Sequence, residues 1–354
     1  MQVEPRHVHL VDILDRPQWL NVFEARRNRL KYAPFMMELW AEMVGCFIYS
    51  FLSIACGLAQ LNAIVNNNPT LASGPIQVGL SVAFGIIFCV STAGTVSAGH
   101  FNPGITVAFC LYRKFPKWKV PFYIFVQILG GYVACAAVYF PYRYVFLQIE
   151  GVLQQRGVLD QIQFTTQGPS GVFAFYVPPG QTLWGAWLNE FIASLTASTT
   201  FWAVMDPSNT LVTPRMSTWV AAFGYGVSIW AFGSILNTSR DMGGRLWALT
   251  IWGRGASGGR YAAISSLTNI AGMAIAALLY ELFMADSRRV VNLESMEHIR
   301  LLSNKLDRTD VKSRDNSRTA SFIDMSTTES TRRNSHAIAL VDGMKRDNKE
   351  QEMV

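Results

Sequence analysis

The sequence predicts an all-α membrane protein, with six transmembrane helices plus two re-entrant half-helices in an inverted 3+3 repeat. Three observations carry that expectation. Charge is concentrated at the ends: of 30 Lys+Arg and 24 Asp+Glu in 354 residues, residues 1–35 hold 6 and 4, and residues 285–354 hold 13 and 12. The 11 bases and 8 acids left in 36–284 are too few to clothe a soluble domain of that size. Six apolar stretches are long enough for the roughly 20 residues that a bilayer crossing needs. Two shorter pieces of helical character follow asparagines at matching places.

The spans are read near 36–61, 76–98, 120–147, 183–204, 217–236 and 261–284. Arg26, Arg27, Arg29 and Lys31 precede the first, and Arg113, Lys114, Lys117 and Lys119 follow the second. The connection 62–75 has no base and 149–182 has only Arg156. Positive charge stays on the cytoplasmic side, so both termini are expected there. The chain divides into a cytoplasmic segment 1–35, a transmembrane domain 36–284 and a largely disordered cytoplasmic tail 285–354. The tail is polar and mixed in charge, which disfavours a packed core; 293–306 could form a short amphipathic helix. Ser321 and Ser335 follow arginines in it and are candidate phosphosites, a short pattern that also arises by chance.

Pro103–Tyr112 and Thr238–Leu249 are too short to span. A ten-residue helix is about 15 Å long, half the hydrocarbon thickness. Each half of the chain therefore reads span, span, half-helix, span, with Glu42 and Glu190 in matching contexts in spans one and four. Three crossings per half is an odd number, so the halves are inverted and their half-helices enter from opposite faces. Interrupted segments at matching positions mark the permeation or binding site.

Asn102 and Asn237 stand as N-caps, and Pro103 suits a first helical position. Irregular backbone at mid-depth survives only beside a cavity. Two helix starts facing each other would present two asparagine amides and a positive potential to a neutral, hydrogen-bonding solute. The five cysteines lie in apolar stretches without metal or disulfide spacing, and no cofactor is implied. The net charge of +6 is spread without a run, so no nucleic-acid partner is implied.

Ser97-Ala-Gly-His-Phe-Asn-Pro-Gly-Ile-Thr-Val-Ala108 resembles the first Asn-Pro-Ala loop of the major intrinsic proteins, the aquaporins and aquaglyceroporins. Leu236-Asn-Thr-Ser-Arg-Asp-Met-Gly-Gly-Arg-Leu246 resembles the second. The resemblance covers about 36–284 and implies a homotetrameric channel, embedded in lipid, with one pore per subunit. Water and small uncharged solutes such as glycerol would pass, in a membrane expected to be the plasma membrane. Exclusion of ions by an arginine and half-helix ends is the known device of aquaporin-type pores. By resemblance, Asn102 and Asn237 donate to the solute and Arg240 lines the selectivity constriction. Val82, Tyr225 and Ser234 fall at the other constriction positions by offset, with Phe84 an alternative to Val82. Glu42, Glu190 and His100 are read as support for the loops, and Asp241 after Arg240 as a glycerol-channel feature. Gly104, Thr238 and Ser239 depart from the usual Pro and Ala; the added hydroxyls could line the pore or bond locally to backbone. A secondary transporter with inverted repeats is the rival class.

Overall fold

The computed structural model describes residues 17–68 and 75–300, and everything below concerns those residues. A short helix α1, Gln18–Asn28, precedes the first long one, α2, Ala33–Val65. Helix α3, Pro75–Cys89, runs on through a π-helical turn, Val90–Gly94, into a last turn at Thr95–Ser97. The first half-helix is α4, Pro103–Tyr112, followed by α5, Val120–Gln155. A short turn α6, Leu159–Ile162, lies in the third connection. Then come α7, Leu183–Met205, α8, Pro214–Phe232, the second half-helix α9, Thr238–Trp252, and α10, Tyr261–Phe283. Every described element is helical.

Four helices are long and apolar enough to cross a membrane on length and composition: Ala33–Val65, Ile76–Ser97, Lys117–Gln155 and Tyr261–Phe283. Helices α7 and α8, with 23 and 19 residues, have the length for a core of about 30 Å but carry more Ser, Thr and Trp. Their hydroxyls include the buried Ser194, Ser198 and Ser228.

Three boundaries differ from the sequence reading, each for a local reason. The fifth span ends at Phe232 rather than 236, because Gly233 and Leu236 take positive φ of 64° and 56° and lead the chain extended to Asn237. The second half-helix is longer than expected, reaching Trp252, where Gly253 (φ 70°) stops it. Helix α5 continues past 147 to Gln155, bending at Pro141–Tyr142, where a missing N–H breaks the ladder. Its extension is kept helical by burial: Phe146, Ile149 and Leu153 pack with Val172, Phe173 and Trp247 under the third connection.

Close approach between α5 and α9 is made by glycine. A Cβ on Gly243 would stand 2.6 Å from the Tyr132 backbone nitrogen, and one on Gly131 2.6 Å from the Ser239 carbonyl. Small residues let membrane helices meet backbone to backbone. Among the described residues, Pro207–Pro214 and 288–300 belong to a separate compact unit. Within it residues 293–300 are helical; Asn292 accepts from the Ser295 N–H at 2.8 Å and donates to the Asn209 carbonyl at 3.1 Å. Residues 301–306, Ser321 and Ser335 lie outside the described residues.

Candidate functional site

The two half-helix starts are built alike. Asn102 and Asn237 have extended backbone (φ −154° and −149°), and each side-chain oxygen accepts the N–H two residues on, from Gly104 and Ser239, at 2.9 Å. This is N-capping. The residue before each, Phe101 and Leu236, sits in the left-handed region at φ 47° and 56°. That conformation is costly for a bulky residue and persists only where surroundings over-determine it.

What over-determines it is a crossed pair of hydrogen bonds. The Asn102 amide donates to the Leu236 carbonyl at 2.8 Å, and the Asn237 amide donates to the Phe101 carbonyl at 2.9 Å. Each half-helix start is thus tied to the backbone of the other. Each crossing carbonyl takes a second donor from a span: Cys46 Sγ of α2 at 3.2 Å from Phe101 O, and Asn269 Nδ2 of α10 at 2.7 Å from Leu236 O. Neither Cys46 nor Asn269 was singled out from the sequence. Asn269 had a signal, being an amide inside an apolar span.

The buried carboxylates hold the same two loops from behind. Glu42 accepts from the His100 and Phe101 N–H groups at 3.0 and 2.8 Å and from Gln127 Nε2 at 2.8 Å. Glu190 accepts the Ile235 N–H on both oxygens at 3.2 Å. His100 is buried in a ring of Phe109, Phe115 and Tyr123, with Nδ1 3.2 Å from the Thr106 hydroxyl. The two hydroxyls that replace Pro and Ala bond locally. Thr238 Oγ1 donates to the Ser266 carbonyl at 2.8 Å, and Ser239 Oγ donates to Asn237 Oδ1 at 2.7 Å.

One turn into α9, Arg240 donates to the carbonyls of Val172 (2.9 Å) and Phe173, with its guanidinium 4.7 Å from the centre of the Phe175 ring. Gly244 permits this: a Cβ there would collide with the Phe173 carbonyl. Asp241 accepts the Phe175 N–H at 3.0 Å and the Ser265 hydroxyl at 2.7 Å, and pairs with Arg245 at 2.9 Å. Arg245 in turn donates to the Phe175 and Ser257 carbonyls at 2.7 and 3.1 Å. Arg240, Asp241 and Arg245 together fasten the third connection onto the second half-helix.

A cavity of about 130 Å³ adjoins the crossing point, lined by both asparagines, His100, Tyr225 and, unforeseen, Tyr49, Phe109 and Phe201. No Asp, Glu, Lys or Arg lines it. An asparagine amide has two N–H donors. One from each is used across the loops; the second has no protein acceptor among the described residues. Arg240, Val82 and Ser234 lie off this cavity's wall. Val82 is in the buried cluster with Tyr49 and Tyr225, and Ser234 accepts from Asn189 at 3.1 Å. Phe84, the alternative to Val82, is 40% exposed and pairs with Phe88 and Phe223. Two residues along a helix is about 200° of rotation, so Val82 and Phe84 cannot face the same side.

An all-helical membrane domain in which two asparagine-capped half-helices meet beside a cavity is the architecture of a channel. Residues 29–280 match the major intrinsic protein family, and the chain belongs to that family. It is 40% identical to Aquaporin-3 of Laccaria bicolor over 301 residues, covering 84% of this chain and 91% of that one. It is 31% identical to probable aquaglyceroporin-2 of Gibberella zeae over 234 residues, 64% of this chain and 66% of that one. The X-ray structure of the aquaglyceroporin from Plasmodium falciparum shares the fold at a TM-score of 0.53 and 21% identity, covering 70% of this chain and 97% of that one. The protein is an integral membrane channel for water and/or small solutes, and is not an enzyme.

Proposed function

We propose that the channel passes water and small uncharged polyols, glycerol first, down their gradients while excluding ions and protons. The observation that supports this most is the pair of spare N–H donors, one on Asn102 and one on Asn237, at a cavity with no ionised lining. A hydroxylated neutral solute can exchange its hydration for those donors, whereas a cation meets donors and two positive helix ends. Arg240 fits the same logic. It has five N–H donors, of which two bond Val172 and Phe173, so a fork of donors is left for solute at the outer constriction. Val82, Tyr225 and Ser234 complete that constriction, while Glu42, Glu190, His100 and Asp241 hold the loops in place. The similarity to a protein named as a probable aquaglyceroporin supports a polyol substrate.

A coupled transporter would need a carboxylate or a basic Lys or Arg side chain at its solute site, and no Asp, Glu, Lys or Arg lines the cavity. A water-restricted pore is the second reading, favoured by Tyr225, which lines the cavity with its hydroxyl 3.8 Å from Met273 Sδ. The reading also includes a homotetramer in the plasma membrane, cytoplasmic termini, a channel domain over 36–284 and a tail beyond it. Stopped-flow light scattering on proteoliposomes tests the substrate. Fast shrinkage under sucrose followed by fast re-swelling under glycerol supports the polyol channel. Fast water without glycerol flux would replace it with the water-restricted pore, and flux driven by a proton or sodium gradient would replace it with the carrier.

A further inference from the structure

Outside the pore, a groove of about 650 Å³ lies between α2 and the π-helical part of α3. Arg27 and Lys31 stand at one end of it, Met36 and Trp40 line its length, and Ala93 and Val96 form the far wall. Its apolar part runs along α2 from Ala33 to Val44. The eleven rises between those two residues, at 1.5 Å each, span about 16 Å, close to the 15 Å or so of one leaflet's hydrocarbon. The charged end therefore falls at headgroup level when the apolar part lies among acyl chains.

Two features fit that placement. Residues 26–31 hold four bases, Arg26, Arg27, Arg29 and Lys31; Glu24 meets Arg27 at 3.7 Å, and Glu38 of α2 pairs with Lys119 at 2.6 Å. Helix α1 has no buried residue, yet carries Trp19 and Phe23 at 69% and 60% exposure, as a helix lying in the headgroup plane would. The groove walls are equally bare, with Met36 and Trp40 at 59% and 65% exposure. The π-turn supplies Thr92 and Ala93 to the groove wall, and the Thr92 hydroxyl donates back to the Phe88 and Cys89 carbonyls at 2.7 and 3.2 Å. Such turns are frequent where a helix has a functional task.

We propose that this groove is a binding site for one phospholipid with an anionic headgroup, its phosphate against Arg27 and Lys31 and an acyl chain along Met36 and Trp40. A free anion would leave the leaflet-length apolar trough unfilled, so the occupant is a lipid. The site is independent of which solute the pore passes. Its neighbour across α3 is the pore cavity, which Cys89 and Val90 line, so an occupied groove braces one wall of the conduction path.

The test is native mass spectrometry and thermal unfolding of the full chain in detergent, titrated with phosphatidylserine or with phosphatidylcholine of the same acyl chains. The wild type should retain phosphatidylserine preferentially and melt later with it. At about fivefold per base near a membrane surface, Arg27→Gln/Lys31→Gln should weaken retention about 30-fold. Removing two exposed bases elsewhere, Arg143→Gln/Arg260→Gln, should not. Val96→Trp, which fills the groove without changing charge, should also displace the lipid. Equal retention of the two lipids by the wild type would overturn the proposal, as would inorganic phosphate alone reproducing the thermal shift. Loss of oligomer in Arg27→Gln/Lys31→Gln or Val96→Trp would overturn it too, by assigning the groove to a second copy of the chain.

Discussion

Removing the Arg240 guanidinium separates what the arginine holds from what it repels. Arg240→Ala deletes two charge-assisted hydrogen bonds, to Val172 and Phe173, each worth about 1.5–3 kcal/mol. The third connection is still fastened next door. Phe175 keeps its bond to Asp241 at 3.0 Å and its bond from Arg245 at 2.7 Å. The variant is therefore expected to fold. Its transport should change more than its stability. A fixed positive charge about 4 Å from a passing monovalent cation opposes it by about 4 kcal/mol at an effective dielectric near 20, close to three decades in rate. Glycerol feels no such barrier and gains width. Proteoliposomes carrying Arg240→Ala should show a higher glycerol-to-water permeability ratio and a measurable cation leak. Arg240→Lys keeps the charge but not the fork that reaches two carbonyls. It should retain cation exclusion while the solute ratio changes. An Arg240→Ala channel that is folded, with unchanged solute ratio and no leak, would refute the assignment of Arg240 to the constriction.

The fully buried Asp241 pairs with Arg245 and accepts two further hydrogen bonds, so Asp241→Asn leaves Arg245 uncompensated. A loss of about 3–5 kcal/mol is expected, read as earlier thermal or denaturant unfolding in detergent. Gly243→Val drives side-chain atoms into the backbone of α5 near Tyr132, and should abolish assembled protein, measured as monodisperse yield on size exclusion. Tyr225→Ala should raise glycerol flux several-fold with a smaller change in water flux if the ring bounds the pathway; unchanged glycerol flux would take Tyr225 off that pathway.

Some of this organisation is written in short-range terms. An asparagine followed by Pro103 and nine largely apolar residues is a helix start and a helix too short to span, and the first half-helix has the expected bounds. Spans follow from apolar length, because lipid imposes the same demand on any backbone. The inverted repeat follows from counting crossings. Sequence alone was weaker at ends: the exit from α8 depends on left-handed Leu236, a residue with no intrinsic preference for that region.

Only the tertiary structure decided which donors cross between the loops and which are left without a protein acceptor among the described residues. The Asn102–Leu236 and Asn237–Phe101 bonds join residues more than 130 positions apart, and Cys46 and Asn269 complete them from spans one and six. Hydrogen-bond partners at that separation are set by how helices pack, not by local propensity. The same holds for Thr238 and Ser239, whose hydroxyls could face pore or backbone by sequence and bond to Ser266 and Asn237 in the fold. It holds again for Phe84, whose exposed place beside Phe223 is set by helical phase and by packing against neighbouring spans. The sequence by itself determined a membrane-embedded, twofold-repeated channel scaffold, since apolar length and cap chemistry are local. Packing determined the pore lining, since that depends on which faces meet.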